Sequence, residues 1–333
     1  MITQSFYRNQ NLDISKGIGI MLVVLGHYLN VDSFPNAFIR SFHMPLFFII
    51  SGACFNFERN IFFKEFIKKR SCQLVVPVIT FSLITLLTKC LLERNLNAIY
   101  DLHWQLPGVL WFLLILYFTE LIAWQVISFL KHERIVSYVI YILIAILFAI
   151  AIGASKLCLW SPFSLLTLFS ALAFYILGYK GKCIILKVSI FRYKWLQLIL
   201  SFSFCALVVK IVGNSMQMYC NQICCIDILT AIAGTWGVFM LSAIITNFSF
   251  RFPQNILFWL GRNTLCIMCT HLLLIEFAFR TFGGTINNYV LKHIVCLMFV
   301  FVGLYIVTDF INKYIPWALG KDIYNKYFMK KEE

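Results

Sequence analysis

Residues 135–155, IVSYVIYILIAILFAIAIGAS, run without a single charged side chain. An α-helix needs about 20 apolar residues to cross the hydrocarbon core of a bilayer, so this stretch has the length and chemistry of one crossing. Uncharged runs of the same kind recur at 41–57, 71–88, 157–179 and 228–250. Hydrophobic residues make up 61% of the 333 and charged residues only 13%, with 34 Phe. A soluble domain of this size cannot cover its surface with so little charge, and disorder is excluded on the same ground. The fold class is therefore all-α, a polytopic membrane helical bundle.

Apolar runs between charge clusters predict ten spans, at 12–31, 37–56, 72–92, 107–130, 135–154, 162–180, 194–213, 226–247, 256–280 and 289–313. Nothing between them has room for a soluble domain. The expectation is a single integral-membrane domain over 1–333, with no appended domain and no cleavable signal peptide. Of the 28 Lys and Arg, three quarters fall near the N-terminus, in alternate loops (59–70, 131–134, 180–194, 251–262) and in the tail from Lys313. The other side holds only Arg40, Lys89, Arg94, Lys156, Lys210, Arg280 and Lys292. Positive residues stay cytoplasmic, which predicts both termini inside a multi-pass protein of the cell (inner) membrane. The same bias accounts for the net charge of +14 without nucleic acid as a partner.

Three of the six histidines, His27, His43 and His271, sit in long apolar stretches of these spans. Helix rise, about 1.5 Å per residue, puts His27 about 21 Å above Asp13. His43 is about two turns into a descending span, and His271 is about 24 Å above Asn255. Trp111 and Phe112 begin another span at that level. Lys16, Arg70 and Gln73 belong to the opposite, cytoplasmic end. An ionisable group inside a bilayer is costly, so its first reading is functional, and three imidazoles in one layer suggest a reaction site.

Each motif also has a plainer reading. Lys16 can be an interfacial side chain whose stem snorkels, and His43, two residues before Pro45, can fix the start of its helix. Asp13 and Lys16 are one turn apart and can pair. Arg70 and Gln73 are likewise one turn apart, and a guanidinium there suits a phosphate. Lys68 and Lys69 read as topology anchors. Glu276 is either an acid/base partner of His271 or an interfacial carboxylate, the second being favoured. Glu120 and Asp309 are intramembrane carboxylates expected to pair with basic or hydroxyl neighbours. The 12 Cys follow no metal-ligand spacing, and no metal is expected. A disulfide within Cys220, Cys224 and Cys225 stays open.

The segment from Lys16 to His27, FHMPLFFIISG at 42–52, the basic stretch leading to Pro77, WFL at 111–113, FYILGY at 174–179 and Gly261 to His271 together resemble family 3 of the membrane acyltransferases. They resemble especially its branch of sugar O-acetyltransferases, such as the fucose 4-O-acetylase-like proteins. Two positions differ from the family's habit: Lys16 stands where Arg is frequent, and Gln73 replaces the second Arg of an Arg-x-x-Arg pair. The resemblance implies an enzyme that transfers an acyl group, foremost acetyl from cytoplasmic acetyl-CoA as co-substrate. The acceptor it implies is a hydroxyl of a sugar in an envelope or capsular polysaccharide.

On that reading His27 and His43 are the catalytic candidates, with His271, Trp111 and Asp13 in support and Lys16, Arg70 and Gln73 on the acyl-CoA. A neutral imidazole suits a general base for the sugar hydroxyl. An acyl-histidine relay is a further sequence of steps. The rival from another class is a proton-coupled glycan or acyl transporter or flippase, which also uses buried His and acidic residues. No internal repeat or pair of broken helices speaks for it.

Overall fold

The computed structural model describes residues 9–58, 62–93, 106, 108–132, 137–159, 161–213, 216–248 and 251–321. Arg94, residues 59–61 and 133–136, and the tail cations beyond 321 lie outside them. Helices follow in the order α1 Gln10–Tyr28, α2 Phe34–Arg40, α3 His43–Cys54, α4 Phe63–Arg70, α5 Val76–Glu93, α6 Trp111–His132 and α7 Ser137–Lys156. They continue with α8 Thr167–Lys180, α9 Lys182–Leu186, α10 Lys194–Val212, α11 Cys225–Thr246, α12 Arg251–Arg262, α13 Thr264–Phe282 and α14 Tyr289–Tyr314. The described residues contain no β-strand, only one isolated bridge between Gln217 and Gln222. All twelve cysteines are free thiols.

Nine helical stretches among the described residues are long and apolar enough to cross a membrane. The tenth expected span, α1, is long enough at 19 residues. Its apolar character is diluted by Asn11, Asp13, Ser15, Lys16 and His27, the residues that make it interesting. The expected span 256–280 is two helices. At the break, the Asn263 side chain donates to the Trp259 carbonyl at 2.9 Å and Thr264 Oγ1 donates to the Gly261 carbonyl at 2.9 Å. Short polar side chains that bond backward compete with the helix ladder, and here the ladder stops at Arg262 and resumes at Thr264. The membrane-crossing part starts at Thr264, so His271 lies about 10 Å along its helix rather than 24 Å. The expected span 37–56 is likewise divided into α2 and α3 at Ser41 and Phe42.

The chain forms two compact units. The first contains residues 1–55, 174–216 and 224–264. In it α1 packs on α11 and α12, and α10 on α11. Gly17 and Gly261 make the α1–α12 approach possible: a Cβ on Gly17 would stand 2.0 Å from the Leu257 carbonyl oxygen, and one on Gly261 1.9 Å from that of Asp13. Small residues at facing positions let helix backbones touch, the usual device where lipid supplies no hydrophobic drive. Thr246 Oγ1 also donates to Asn11 Oδ1 at 2.7 Å, tying the end of α11 to the start of α1.

The second unit contains the described residues within 56–173, 217–223 and 265–321. Its distinctive element is a π-helical turn, Ser71–Val75, between α4 and α5. Pro77 explains it. Proline lacks the N–H that would bond the Gln73 carbonyl four residues back, and the chain responds with an i→i−5 bond from Val76 N to the Ser71 carbonyl. The turn is braced by a 2.9 Å hydrogen bond between Ser71 and Tyr117 hydroxyls. Gly320, at φ +67°, closes over it from the C-terminal side, so near that a Cβ would meet the Cys72 carbonyl oxygen at 1.7 Å.

Candidate active site

In the first unit, His43 is the first residue of α3, and the sequence around it explains how it is held. Phe42, fully buried, stacks on Phe202 with ring centroids 5.9 Å apart. The ring occupies space that Gly234 of α11 leaves open, where any Cβ would come within 2.4 Å of it. Pro45 falls in the first turn, where a missing N–H costs nothing. The helix start is thereby fixed from both sides, and His43 with it.

The imidazole is oriented too. Nδ1 of His43 lies 3.0 Å from the Ile39 carbonyl of α2. A carbonyl only accepts, so Nδ1 carries the proton and Nε2 of the neutral ring is the acceptor. This is the geometry of a ring prepared to take a proton at a defined nitrogen.

His27 stands in the last turn of α1, exposed, while His43 is half-buried. His27, His43 and Arg40 are within electrostatic reach of one another. Asn36 of α2, almost fully buried, donates its side-chain amide to the carbonyl of Gly26 and fixes the turn that carries His27. The sequence reading did not single out Asn36 or Arg40. The Ser33-Phe34-Pro35-Asn36 segment carries the available signal, a Ser N-cap with proline in the first turn and Ser33 Oγ accepting from Asn36 N at 3.4 Å.

Asp13 and Lys16 occupy the other end of α1. Asp13 is buried in the first turn, where the helix dipole favours a carboxylate, and Lys16 is half-buried. His27 follows Lys16 by eleven positions, which returns the helix to nearly the same face about 16 Å further along. One stripe of α1 therefore carries a cation at its beginning and an imidazole at its end.

In the second unit, Arg70 Nε lies 2.7 Å from Glu120 Oε2, and Arg70 Nη1 donates to Gln73 Oε1 at 2.8 Å. The guanidinium also sits 5.5 Å from the centre of the Phe66 ring. Arg70 and Gln73 are thus together, as their spacing implied, and they are engaged with each other. The partner of Arg70 is Glu120, which the sequence marked only as a carboxylate in need of a neighbour. The carboxylate is buried, with 3% of its side chain exposed.

His271 is fully buried, and its Nδ1 donates to the Ile267 carbonyl at 2.8 Å. Glu276 pairs instead with Arg280, at 2.7 Å on the exposed side of α13, in agreement with the interfacial reading. Trp111 begins α6 as a buried ring set edge-on to Phe112. Asp309 is exposed on α14.

No curated protein and no solved structure gives a significant match to the chain. A family model described as an acyltransferase domain matches residues 9–311, which include every candidate residue above. With its bundle of membrane-crossing helices, the chain belongs to family 3 of the membrane acyltransferases.

Proposed function

We propose that this acyltransferase moves an acetyl group from cytoplasmic acetyl-CoA to a hydroxyl of a sugar in an envelope or capsular polysaccharide, working from the cell (inner) membrane with both termini in the cytoplasm. The observation that carries the reading is a His43 whose Nδ1–H is committed to the Ile39 carbonyl, within electrostatic reach of His27. An exposed imidazole beside an oriented one supplies what acyl transfer to a hydroxyl requires: a base for the proton and a second group to set the geometry.

In this scheme His27 removes the proton of the sugar hydroxyl. The oxygen bonds to the acyl carbon, the carbon–sulfur bond breaks, and the thiolate of CoA leaves with the proton returned from the imidazolium. His43, through Nε2, orients the hydroxyl. Lys16, three turns below His27 on the same stripe of α1, suits the anionic part of the donor, with the extended pantetheine arm covering the interval. Asp13 supports the Lys16 end of that helix. Arg70 and Gln73 remain donor-phosphate candidates by chemistry, and Trp111 and His271 candidates for support.

The test is purified protein given acetyl-CoA with and without candidate glycans. Acceptor-dependent release of CoA, together with acetyl ester on the glycan, is the expected result. Movement of a sugar or acyl group across a proteoliposome membrane without CoA release would replace the enzyme by a carrier.

A further inference from the structure

The first unit contains a second concave feature, at the start of α10 and the end of α11, that none of the residues above line. It is an open cavity of about 680 Å³ walled by Phe191, Tyr193, Lys194, Trp195, Asn247 and Phe248. Both helices are membrane-crossing stretches, Lys194–Val212 and Cys225–Thr246. They pack on each other in opposite directions, so the cavity sits where both leave the apolar layer, at headgroup level. Tyr193 and Trp195 are 74% and 57% exposed. Amphipathic rings at that level are interfacial anchors.

The walls are held from behind. Trp236 Nε1 donates to Gln197 Oε1 at 3.0 Å, and Gln197 Nε2 donates to the Arg192 carbonyl at 2.9 Å, which fixes the loop before α10. Phe191 rests edge-on against Trp236 at 5.3 Å. On the facing side, Gln254 Nε2 donates to the carbonyls of Ile245 and Phe248, both at 2.8 Å. Tyr193 itself adopts φ +53°, a left-handed conformation that a tyrosine rarely takes. The recess is therefore preformed rather than a gap between loose loops.

Lys194 is the one charged side chain in its lining. In the adjoining sequence, 180–194 and 251–262 contain seven Lys and Arg and no Asp or Glu, of which Lys182 bonds the Phe55 carbonyl and Arg262 lies over the Phe258 ring. Topology alone explains cations on this side, but not an aromatic-walled recess with a half-buried lysine in its lining. Apolar walls for acyl chains beside a half-buried lysine match an amphiphile with a negatively charged head. We infer that this cavity is a binding site for an anionic phospholipid, its phosphate headgroup against Lys194 and the upper acyl chain against Phe191, Trp195 and Phe248. The inference is independent of the acetyl-transfer reading.

The experiment uses the full chain, delipidated in detergent, offered phosphatidylglycerol and phosphatidylcholine together, with retained lipid counted by native mass spectrometry. Wild type retains phosphatidylglycerol in preference. Lys194→Gln lowers that retention about fivefold, the effect of one interfacial cation. Lys210→Gln, at the other end of the same helix and with the same change of charge, leaves it unaltered. Inorganic phosphate and acetyl-CoA do not displace the lipid. Equal retention of the two lipids, equal loss in both variants, or displacement by either competitor overturns the assignment. The last result would give the cavity to a free phosphate or to the donor. Trp195→Phe, which keeps an aromatic wall, retains the preference and serves as a second folded comparison. Its loss of preference at unchanged thermal stability would also count against the site.

Discussion

Asn36 donates its side-chain amide to the carbonyl of Gly26, the residue immediately before His27. A buried amide from α2 thereby holds the last turn of α1 and sets where the His27 ring points. Asn36→Ala removes that donor and leaves a carbonyl unsatisfied at a cost of about 1–3 kcal/mol. The expected kinetic signature is a lower kcat for acceptor-dependent CoA release with little change in the KM for acetyl-CoA. Equal changes in both would make Asn36 a general structural residue.

Replacing His27 by Ala is expected to leave an inserted, folded protein and to reduce transfer by at least the 10²–10⁴-fold typical of a positioned base. Fluorescence-detected size exclusion checks the fold, and mass analysis of the glycan checks the product. Full acetylation by this variant removes His27 from the chemistry.

At His43 two substitutions separate two jobs. Asn places an amide N–H near the position of Nδ1 and can keep the bond to Ile39, whereas Gln places its polar end near Nε2. His43→Asn is expected to retain thermal stability but not activity. His43→Gln is expected to recover more activity than His43→Asn, relative to His43→Ala, if orientation of the hydroxyl is what Nε2 does. The same glycan assay and a thermal melt read both outcomes.

Arg70 and Glu120 form a pair whose carboxylate is buried and whose guanidinium is a quarter exposed. Removing one member strands the other, and Arg70→Met is expected to cost about 3 kcal/mol. The double variant Arg70→Met with Glu120→Leu is expected to be more stable than Arg70→Met alone. If Arg70 also meets donor phosphate, the double variant stays folded but needs more acetyl-CoA. A normal KM would confine Arg70 to the pair with Glu120.

Glycine positions make opposite predictions within the same kind of helix. Gly17→Ala drives a methyl into the Leu257 carbonyl and is expected to lower the melting temperature, with α1 displaced from α12. Gly153→Ala meets nothing within 4 Å and is expected to stabilise α7 by about 0.5–1 kcal/mol through the helix preference of alanine. Paired thermal melts in one detergent decide both.

Helices were legible because bilayer physics writes them as long uncharged runs, and 137–156 needed no further information. The break at Asn263 was not legible. Asn and Thr are tolerated inside helices, and the backward bonds of Asn263 and Thr264 have counterparts at Thr230 and Thr270 within unbroken ones, so nothing local announces the break. That break starts the membrane-crossing helix at Thr264, so the position of His271 is counted from there and not from Asn255. The π turn was half legible: Pro77 announces a missing hydrogen bond, but not which way the chain will compensate. The His27–His43 pair followed from the motif. Asn36 and Glu120 did not, since each acts through a partner distant in sequence whose identity only packing reveals.

Gly320 resting on the Cys72 carbonyl has a consequence for biogenesis. The ribosome makes the Arg70–Pro77 turn early, yet its covering piece emerges some 250 residues later. The turn that holds Arg70 therefore stays uncovered during most of synthesis and is finished only when the last crossing has been made. A chain stopped just before Pro316 would keep its helices and leave that turn without Gly320 over it.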